Sequence, residues 1–308
     1  MQKVKAAVVV NPASGNGKTG RRWPDLARAL TKAGISYEHR FTEAPGHAEG
    51  ITRHFLREGN ELIISVGGDG TANEVVNGYF CGGKAVNREA AVGFISTGTG
   101  RDLGRTIDVP KDYNLAALKI AENTARPVDV GLVTFSGRKS LEEKRYFINV
   151  AGLGLDGDTV DRVNRTSKAL GGFVSFLWGT LISLLLYSNK VMQIKVDDRL
   201  ICDEPVTVVV VGNGRFFGGG MEVAPEAEID DGFFDIIILR NLSKPNLLVN
   251  LPRVYRGSHL SHPRITSLRG KKVEIVSAGT ALLNLDGEQP GQSPAVMELL
   301  PRALKIRG

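Results

Sequence analysis

The stretch "SVGGDGTANE" holds an aspartate between glycines, directly after an apolar run that predicts a strand. Glycines such as Gly67, Gly68 and Gly70 let the backbone approach a phosphate closely and direct N–H groups at it. A carboxylate at Asp69 would repel that phosphate unless it holds a metal ion or accepts a proton or hydroxyl. A helix is predicted from Thr71, with this threonine as its cap, and its N-terminus would favour an anion. A tight turn capped by the aspartate is the alternative, but three glycines around one aspartate favour a phosphate-binding loop.

Two further glycine-containing stretches, "NPASGNGKTG" and "STGTGRDLGR", also follow predicted strands. The first ends like a Walker loop at Lys18, but the opening glycine of that motif would fall on Pro12, so this is not an ordinary P-loop. In the second, Thr99 could donate to a phosphate, and Arg101 or Arg105 could neutralise its charge. A plain turn fits this second stretch equally well.

Two acidic turns lie in the second half of the chain. Glu228, Asp230 and Asp231 could bind a hard cation through their oxygen atoms. Asp286 and Glu288 follow an apolar strand, where a carboxylate could act as general base for a substrate hydroxyl. Because Asp-Gly is a standard hairpin signal, a plain hairpin is the alternative for both turns.

The composition indicates a globular protein with an anionic partner. The chain has 308 residues, 42% of them hydrophobic, with a net charge of +6 and a pI near 9.3. A nucleotide or an acidic membrane surface fits that charge. Nucleic acid is not expected, because aromatic residues make up only 6% and no dense Lys/Arg run occurs. Cys81 and Cys202 lie too far apart to indicate a disulfide scaffold or a zinc site, and the polar N-terminus predicts a cytoplasmic protein.

The order of predicted elements indicates two domains. Strands and helices alternate through residues 1–130, which predicts a doubly wound parallel sheet with ligands at the carboxyl ends of its strands. Short strands joined by turns dominate residues 131–308, so we predict a β-rich second domain, with the tail at about 295–308 packing back on the first.

One long segment is uncharged. Residues 169–189, between Lys168 and Lys190, carry no charge over 21 positions, about the length of a membrane-spanning helix. Glycines and serines dilute its apolar character. We therefore favour a helix that packs in the domain or lines an apolar pocket over a membrane span.

Together and in this order, these stretches resemble the diacylglycerol kinase catalytic-domain family, which includes bacterial soluble lipid kinases and the sphingosine kinases. The resemblance runs through nearly the whole chain, from "NPASGNGK", "VGGDGTANEV", "GTGRDLGR" and "PVDVG" to "GNGRFFGGGMEVAP", "DDGFFDI" and "LDGE". The segment "GGDGT" alone is shared with NAD kinases and phosphofructokinases. The resemblance implies an α/β nucleotide-binding domain of the NAD-kinase type, a β-rich lipid-binding domain and an active site in the cleft between them.

The resemblance also implies which residues bind ATP. They are Asn11, Thr42, Gly67, Gly68, Asp69, Gly70, Thr71, Asn73, Gly98 and Thr99. Asp69 and Asp129 match acidic positions that organise Mg²⁺ and water near the phosphates.

Two further sets of residues carry implied roles. Asp286 matches the base that takes the proton of the lipid hydroxyl, with Glu288 beside it. Glu228, Asp231 and the carbonyl of Phe233 match a structural Mg²⁺ site of the bacterial branch.

One position departs from the family pattern. The family usually reads "GTGNDFAR", whereas this chain has Arg101 in place of the asparagine, and Leu103 and Gly104 in place of Phe-Ala. The contacts of this loop with the nucleotide are therefore expected to differ.

The implied activity is ATP- and Mg²⁺-dependent phosphorylation of a lipid hydroxyl, such as that of diacylglycerol, by a protein held at an anionic membrane surface. Two alternatives remain: a soluble-metabolite kinase of the NAD-kinase type, and a non-catalytic regulator that binds nucleotide or lipid. The uncharged segment argues against the first, and the full set of Asp69, Asp129 and Asp286 argues against the second. A homodimer is one assembly that the chain could form.

Overall fold

The computed structural model describes residues 5–137, 141–165, 182 and 186–308. The chain divides into two compact units. Unit 1 consists of Met1–Val128 and Arg302–Gly308, and unit 2 of Asp129–Pro301.

Unit 1 contains a parallel sheet. Its strands are β1 (Ala6–Val10), β2 (Tyr37–Phe41), β3 (Leu62–Gly67) and β6 (Ala91–Ser96), in the order β2-β1-β3-β6. The short strands β4 (Phe80–Cys81) and β5 (Lys84–Ala85) form a separate hairpin. At the other end of the chain, the last residues of β18 (Gly291–Ile306) add to the sheet, because Lys305 and Ile306 pair parallel to β6.

Helices cover both faces of this sheet. They are α1 (Lys18–Lys32), α2 (His47–Arg57), α3 (Asp69–Tyr79), α4 (Asp102–Thr106) and α5 (Tyr113–Glu122). Alternate residues of β1, such as Val8, pack against Leu26 and Leu30 of α1 and Ile120 of α5. The intervening residues face the opposite side, where α2 and α3 pack on each other and on β1 and β3. Since both faces are covered, β1 and β3 are fully buried, and the predicted doubly wound α/β fold is confirmed.

The start of α3 differs from the prediction. The helix begins at Asp69 instead of Thr71, and its N-cap is Gly68, which has extended backbone and makes no side-chain capping bond. The prediction that Thr71 caps this helix is therefore wrong. Its hydroxyl lies inside the first turn, where it accepts a hydrogen bond from Asn11 Nδ2 at 2.9 Å.

Unit 2 is mostly antiparallel. Its strands are β7 (Arg126–Gly137, which begins in unit 1), β8 (Glu142–Phe147), β9 (Val150–Gly154), β10 (Lys190–Val196), β11 (Arg199–Gly212), β12 (Phe216–Phe217), β13 (Met221–Glu222), β14 (Phe234–Arg240), β15 (Ile265–Gly270), β16 (Lys272–Ser277), β17 (Leu283–Leu285) and most of β18. The order β15-β14-β11-β10-β16-β18 forms its main sheet, and β9 pairs with both β11 and β17. The core includes the stacked rings of Phe147 and Phe234, whose centroids are 5.5 Å apart. The β-rich second domain predicted from the sequence is confirmed.

Among the described residues of unit 2, these strands are accompanied by the helices α6 (Leu155–Arg165) and α7 (Lys244–Val254) and by a 3-10 turn, Ser258–Ser261. The uncharged segment at 169–189 lies outside the described residues, apart from 182 and 186–189. In the part of the chain that the structure describes, no helix is long and apolar enough to cross a membrane.

Candidate active site

Two glycine loops meet at the carboxyl ends of β3 and β6. The backbone N–H groups of Thr97 and Gly98 both donate to the carbonyl of Gly67, at 2.8 and 3.3 Å. A Cβ atom on Gly98 would lie only 2.6 Å from the Cα of Gly68, so these two loops touch backbone to backbone. Glycine is required at this position because any side chain would push the loops apart.

The loop that follows β1 joins them. Its Asn11 side chain donates to Thr71, and the hydroxyls of Thr19 and Thr97 lie 2.6 Å apart. Lys18 is the first residue of α1 and is exposed. The loops after β1, β3 and β6 thus form one cluster inside unit 1, at the edge of the sheet where doubly wound folds bind ligands.

This cluster is suited to an anion. The N-terminus of α3 starts at Asp69, where backbone N–H groups without helical partners and the helix dipole favour a phosphate. The Gly68–Gly98 contact leaves no side chain between the phosphate and the backbone. The residues present therefore suit a phosphate group.

The other predicted nucleotide residues are placed differently. Thr99 is exposed, Thr42 is buried, and the backbone N–H of Thr42 donates to the carbonyl of Val10 at 2.8 Å. Asn73 is only 1% exposed inside α3, and its carbonyl and side-chain oxygen accept from Asn77. As placed, Asn73 supports the helix and does not face solvent.

Glu74 was not expected from the sequence. Its carboxylate accepts from the backbone N–H groups of Gly46 and Ala48, at 2.8 and 3.0 Å. Glu74 thereby fixes the segment that follows Thr42 to α3. In the sequence, the only indication of a role for Glu74 was its position in the helical turn after "GGDGT".

Asp69 organises the loop after β6. Its Oδ1 atom accepts from the backbone N–H of Leu103 at 3.1 Å, which caps the short helix α4. Desolvation raises the pKa of Asp69, opposed by the amide donors of α4 and by the charge of Arg105. A Cβ atom on Gly100 would lie 2.7 Å from the Oδ2 atom of Asp69, so the loop packs tightly on this carboxylate.

The two arginines of this loop have local partners. Arg101 has left-handed backbone, with φ of 56°, and its guanidinium donates to the carbonyls of Val109 and Pro110 at 3.2 Å each. Arg105 pairs with Asp102 at 2.8 Å and also donates to the Gly100 carbonyl. In this arrangement both side chains hold the loop.

Asp286 lies in unit 2 and is held by three backbone amides. Its carboxylate accepts from the N–H groups of Ile148, Asn149 and Val150 at 2.9, 3.0 and 2.9 Å. Two of these donors belong to the bend at 148–149, which separates β8 from β9. Asp286 is 8% exposed, and its backbone is left-handed, with φ of 49°. Glu288, two residues on, is exposed.

Asp129 is fully buried in unit 2. Its carboxylate accepts from the backbone N–H of Gly232 at 2.7 Å, and its carbonyl accepts from Asn213 Nδ2 at 3.1 Å. Asp129 therefore fixes the acidic turn in which the predicted cation ligands lie.

The acidic turn itself has an unbalanced charge. Asp231 pairs with Arg269, and Glu228 is exposed. Asp235 is 2% exposed, its Oδ2 atom has no hydrogen-bond partner among the described residues, and burial raises its pKa to about 6. Within the described ranges, no cluster of three His, Cys, Asp or Glu residues has the geometry of a metal site. The Oδ2 atom of Asp235 could help to hold a hard cation at this turn, but it lies 3.9 Å from Arg269 Nε, and this arginine already neutralises part of the charge.

An apolar cavity of about 120 Å³ lies inside unit 2. Its walls come from β11, β14, α7 and their neighbours, and include Val208, Val210, Ile237, Leu247, Leu251 and Val254. Sequence reasoning did not identify this cavity, because its lining residues are distant in the chain and apolar in type.

Five polar residues line the cavity: Asp156, Thr159, Asn250, His259 and His262. Asp156 accepts from the Gly157 N–H at 2.8 Å and from Asn284 Nδ2 at 3.3 Å, and desolvation raises its pKa to about 7. The Nδ1 atom of His259 is buried without a partner among the described residues, while its Nε2 lies 3.1 Å from the Val223 carbonyl. The only sequence signal for Asp156 was its place just after the apolar strand in "VAGLGLDGD".

Two family models match successive parts of the chain. A family model described as diacylglycerol kinase catalytic domain matches residues 5–133, and one described as YegS C-terminal NAD kinase beta sandwich-like domain matches residues 149–308. A diacylglycerol kinase of Staphylococcus carnosus (strain TM300) is 30% identical over 292 residues, which cover 94% of this chain and 90% of that protein. One of Staphylococcus aureus (strain MRSA252) is 29% identical over 304 residues, 98% of this chain and 91% of that protein.

Solved structures share the fold. The crystal structure of a diacylglycerol kinase from Bacillus anthracis str. Sterne superposes with a TM-score of 0.72 at 22% identity, covering 99% of this chain and 97% of that one. Yeast NADH kinase, crystallised with NADH, has a TM-score of 0.51 at 10% identity, covering 100% of this chain and 83% of that one. Its weaker similarity extends the fold relationship to a kinase that acts on a soluble dinucleotide.

Proposed function

This chain belongs to the diacylglycerol kinase family, and we propose that it is a lipid kinase that transfers the γ-phosphoryl group of ATP to a lipid hydroxyl, such as that of diacylglycerol.

The apolar cavity of unit 2 is the observation that favours a lipid over a soluble acceptor. Apolar side chains form most of its wall, so the chain of a lipid would lose contact with water there without leaving polar groups unpaired. The few polar side chains of the wall could hold a hydroxyl or ester oxygen; they are Asp156, Thr159, Asn250, His259 and His262. A dinucleotide of the kind used by NAD kinases carries charged phosphates, which this lining would not solvate.

Unit 1 would bind the nucleotide. The loops after β1, β3 and β6 and the N-terminus of α3 offer backbone N–H groups to the phosphates, with Asn11, Thr71 and Thr99 as supporting side chains. When bound, Mg²⁺ would neutralise the negative charge of the phosphates. Asp69 and Asp129 are the proposed acidic partners of that ion or its water.

Asp286 is the proposed partner of the acceptor hydroxyl. Three amide donors fix the position of its carboxylate, which can accept the hydroxyl proton. Phosphoryl transfer through a loose transition state depends mainly on positioning, so a carboxylate that is held rigidly in place suits this role. Glu288 is exposed, whereas Asp286 is buried. A second Mg²⁺ at Glu228, Asp231 and the Phe233 carbonyl would stabilise the turn that Asp129 holds.

Two further proposals concern partners. A net charge of +6 supports peripheral contact with an anionic membrane surface. A homodimer is tested by the molar mass in solution, which would be twice 33.2 kDa.

Incubation of the protein with Mg²⁺, γ-labelled ATP and separate lipids tests the activity. The acceptors are diacylglycerol, phosphatidylglycerol, a sphingoid base and a polyprenol, with NAD as a soluble acceptor. We expect a labelled lipid product, and none with NAD. Labelled NADP without labelled lipid would assign the NAD-kinase alternative, and ATP binding without any product would assign a non-catalytic role.

A further inference from the structure

Helix α7 (Lys244–Val254) has two apolar faces. Leu247, Leu251 and Val254 point inward and line the cavity. A second apolar face is formed by residues spaced three and four positions apart, which are Pro245, Leu248, Val249 and Pro252. At about 100° per residue, the centres of the two faces lie roughly opposite each other on the helix.

The second face is open to solvent. All four of its residues are exposed, with Leu248 at 39% and Val249 at 76%, and Val249 is the most exposed large apolar side chain in the described part of the chain. No residue of α7 is fully buried. A solvated helix normally presents polar residues on its outer face, so this apolar face indicates a partner.

The charge around α7 identifies that partner. Between Asp235 and Glu274 the sequence has no acidic residue and eight Lys or Arg. Three of these eight, Arg240, Arg269 and Lys272, form ion pairs with acidic residues outside this stretch or at its end. Lys244 and Arg253 flank the outer face on opposite sides, each roughly 90° from its centre. An apolar strip flanked by cations is the pattern of a helix that lies in the interface of an anionic membrane, with its basic side chains at the headgroups.

We propose that the outer face of α7 inserts into the interfacial region of an anionic membrane. Because the inner face of the same short helix forms a wall of the cavity, docking would place that wall against the bilayer. A lipid could then reach the cavity without crossing water, which would otherwise be costly for its chains. This inference rests on the proposed lipid kinase function and specifies where that enzyme meets its substrate.

Sedimentation of the full-length protein with vesicles tests the surface. The vesicles contain phosphatidylcholine alone or phosphatidylcholine with phosphatidylglycerol. We expect Leu248→Asp/Val249→Asp to weaken binding to the anionic vesicles by about tenfold or more, because two apolar side chains are replaced by charges that anionic lipid repels. The matched control is Leu115→Asp/Leu118→Asp on α5, at positions of 55% and 40% exposure, which should bind like the wild type.

Fluorescence gives an independent measurement that does not depend on a destabilising charge. Tryptophan emission of Val249→Trp should shift to the blue when anionic vesicles are added, whereas that of Leu115→Trp should not. Equal vesicle binding by the aspartate double variant and the wild type, or no shift for Val249→Trp, would overturn the proposal.

The activity of the same variants separates this inference from the proposed function. Neither Leu248 nor Val249 lines the cavity, so their double variant should phosphorylate a water-soluble short-chain diacylglycerol at the wild-type rate. Loss of vesicle binding in a protein that phosphorylates no lipid would support the surface and refute the kinase. Lipid phosphorylation with unchanged vesicle binding by the variant would support the kinase and refute the surface.

Discussion

The Cα of Gly68 lies 2.6 Å from the point where a Cβ atom on Gly98 would stand. We therefore expect Gly98→Ala to force apart the loops after β3 and β6, which together offer the phosphates their backbone N–H groups. The affinity for ATP, measured by calorimetry, should fall by about tenfold or more, since backbone atoms cannot move aside as a flexible side chain can.

Gly50→Ala is the matched control for that change. Gly50 lies in α2 and has no atom within 4 Å of an added Cβ. Alanine there should raise the free energy of unfolding by roughly 0.5–1 kcal/mol and leave ATP binding unchanged. Equal ATP affinity in Gly98→Ala and the wild type would show that the loop contact does not shape the nucleotide site.

Replacement of Asp286 separates catalysis from structure. Asp286→Asn keeps one oxygen for the backbone amides but loses the proton acceptor, so kcat for lipid phosphorylation should fall by about 10²–10⁴. Asp286→Ala leaves three amides without their acceptor and should also lower the free energy of unfolding, by about 3 kcal/mol or more. Glu288→Gln, at an exposed position, should retain most of the activity. The opposite result, with Glu288→Gln inactive and Asp286→Asn active, would transfer the role of base to Glu288.

Asp156 should make stability depend on pH. Its pKa is raised from 3.8 to about 7 by burial, so between these values the folded protein binds more protons at this group than the unfolded chain does. The free energy of unfolding should therefore decrease as the pH rises through this window, by about 2–4 kcal/mol. In Asp156→Asn this contribution is absent, and urea unfolding of both proteins at several pH values gives the difference. A difference that is constant between pH 4.5 and 7 would contradict the raised pKa.

Arg101 departs from the family pattern, and local hydrogen bonds offset the cost of its backbone conformation. Its left-handed backbone, with φ of 56°, suits the asparagine usual in the family, but its guanidinium bonds to the carbonyls of Val109 and Pro110. We expect Arg101→Asn to lower the free energy of unfolding by about 1 kcal/mol, because two hydrogen bonds outweigh the backbone preference. Arg101→Gly also loses both bonds but relaxes the backbone further, so the difference in stability between Arg101→Gly and Arg101→Asn reports the backbone preference. Greater stability in Arg101→Asn than in the wild type would show that the backbone preference dominates.

The sequence by itself determined the fold class and the family. Buried runs such as Ala6–Val10 and Leu62–Gly67 read as strands without tertiary information, because their apolar pattern and the glycines after them are local properties. The order of the glycine motifs identified the family. The family pattern in turn identified Asp69, Asp129 and Asp286 as the aspartates with predicted roles in the active site.

Only the tertiary structure decided what those carboxylates contact. Asp286 meets the amides of 148–150 from 136 to 138 residues away in the chain, and Asp69 meets Leu103 from 34 residues away. Propensity and periodicity reach over a few residues and cannot specify such partners, just as they could not show that residues of β11, β14 and α7 enclose a cavity with Asp156 in its wall. The outer face of α7 depends on both. The spacing of its apolar residues is visible in the sequence, but only the tertiary structure shows that the opposite side of the helix packs on the core and leaves this face exposed.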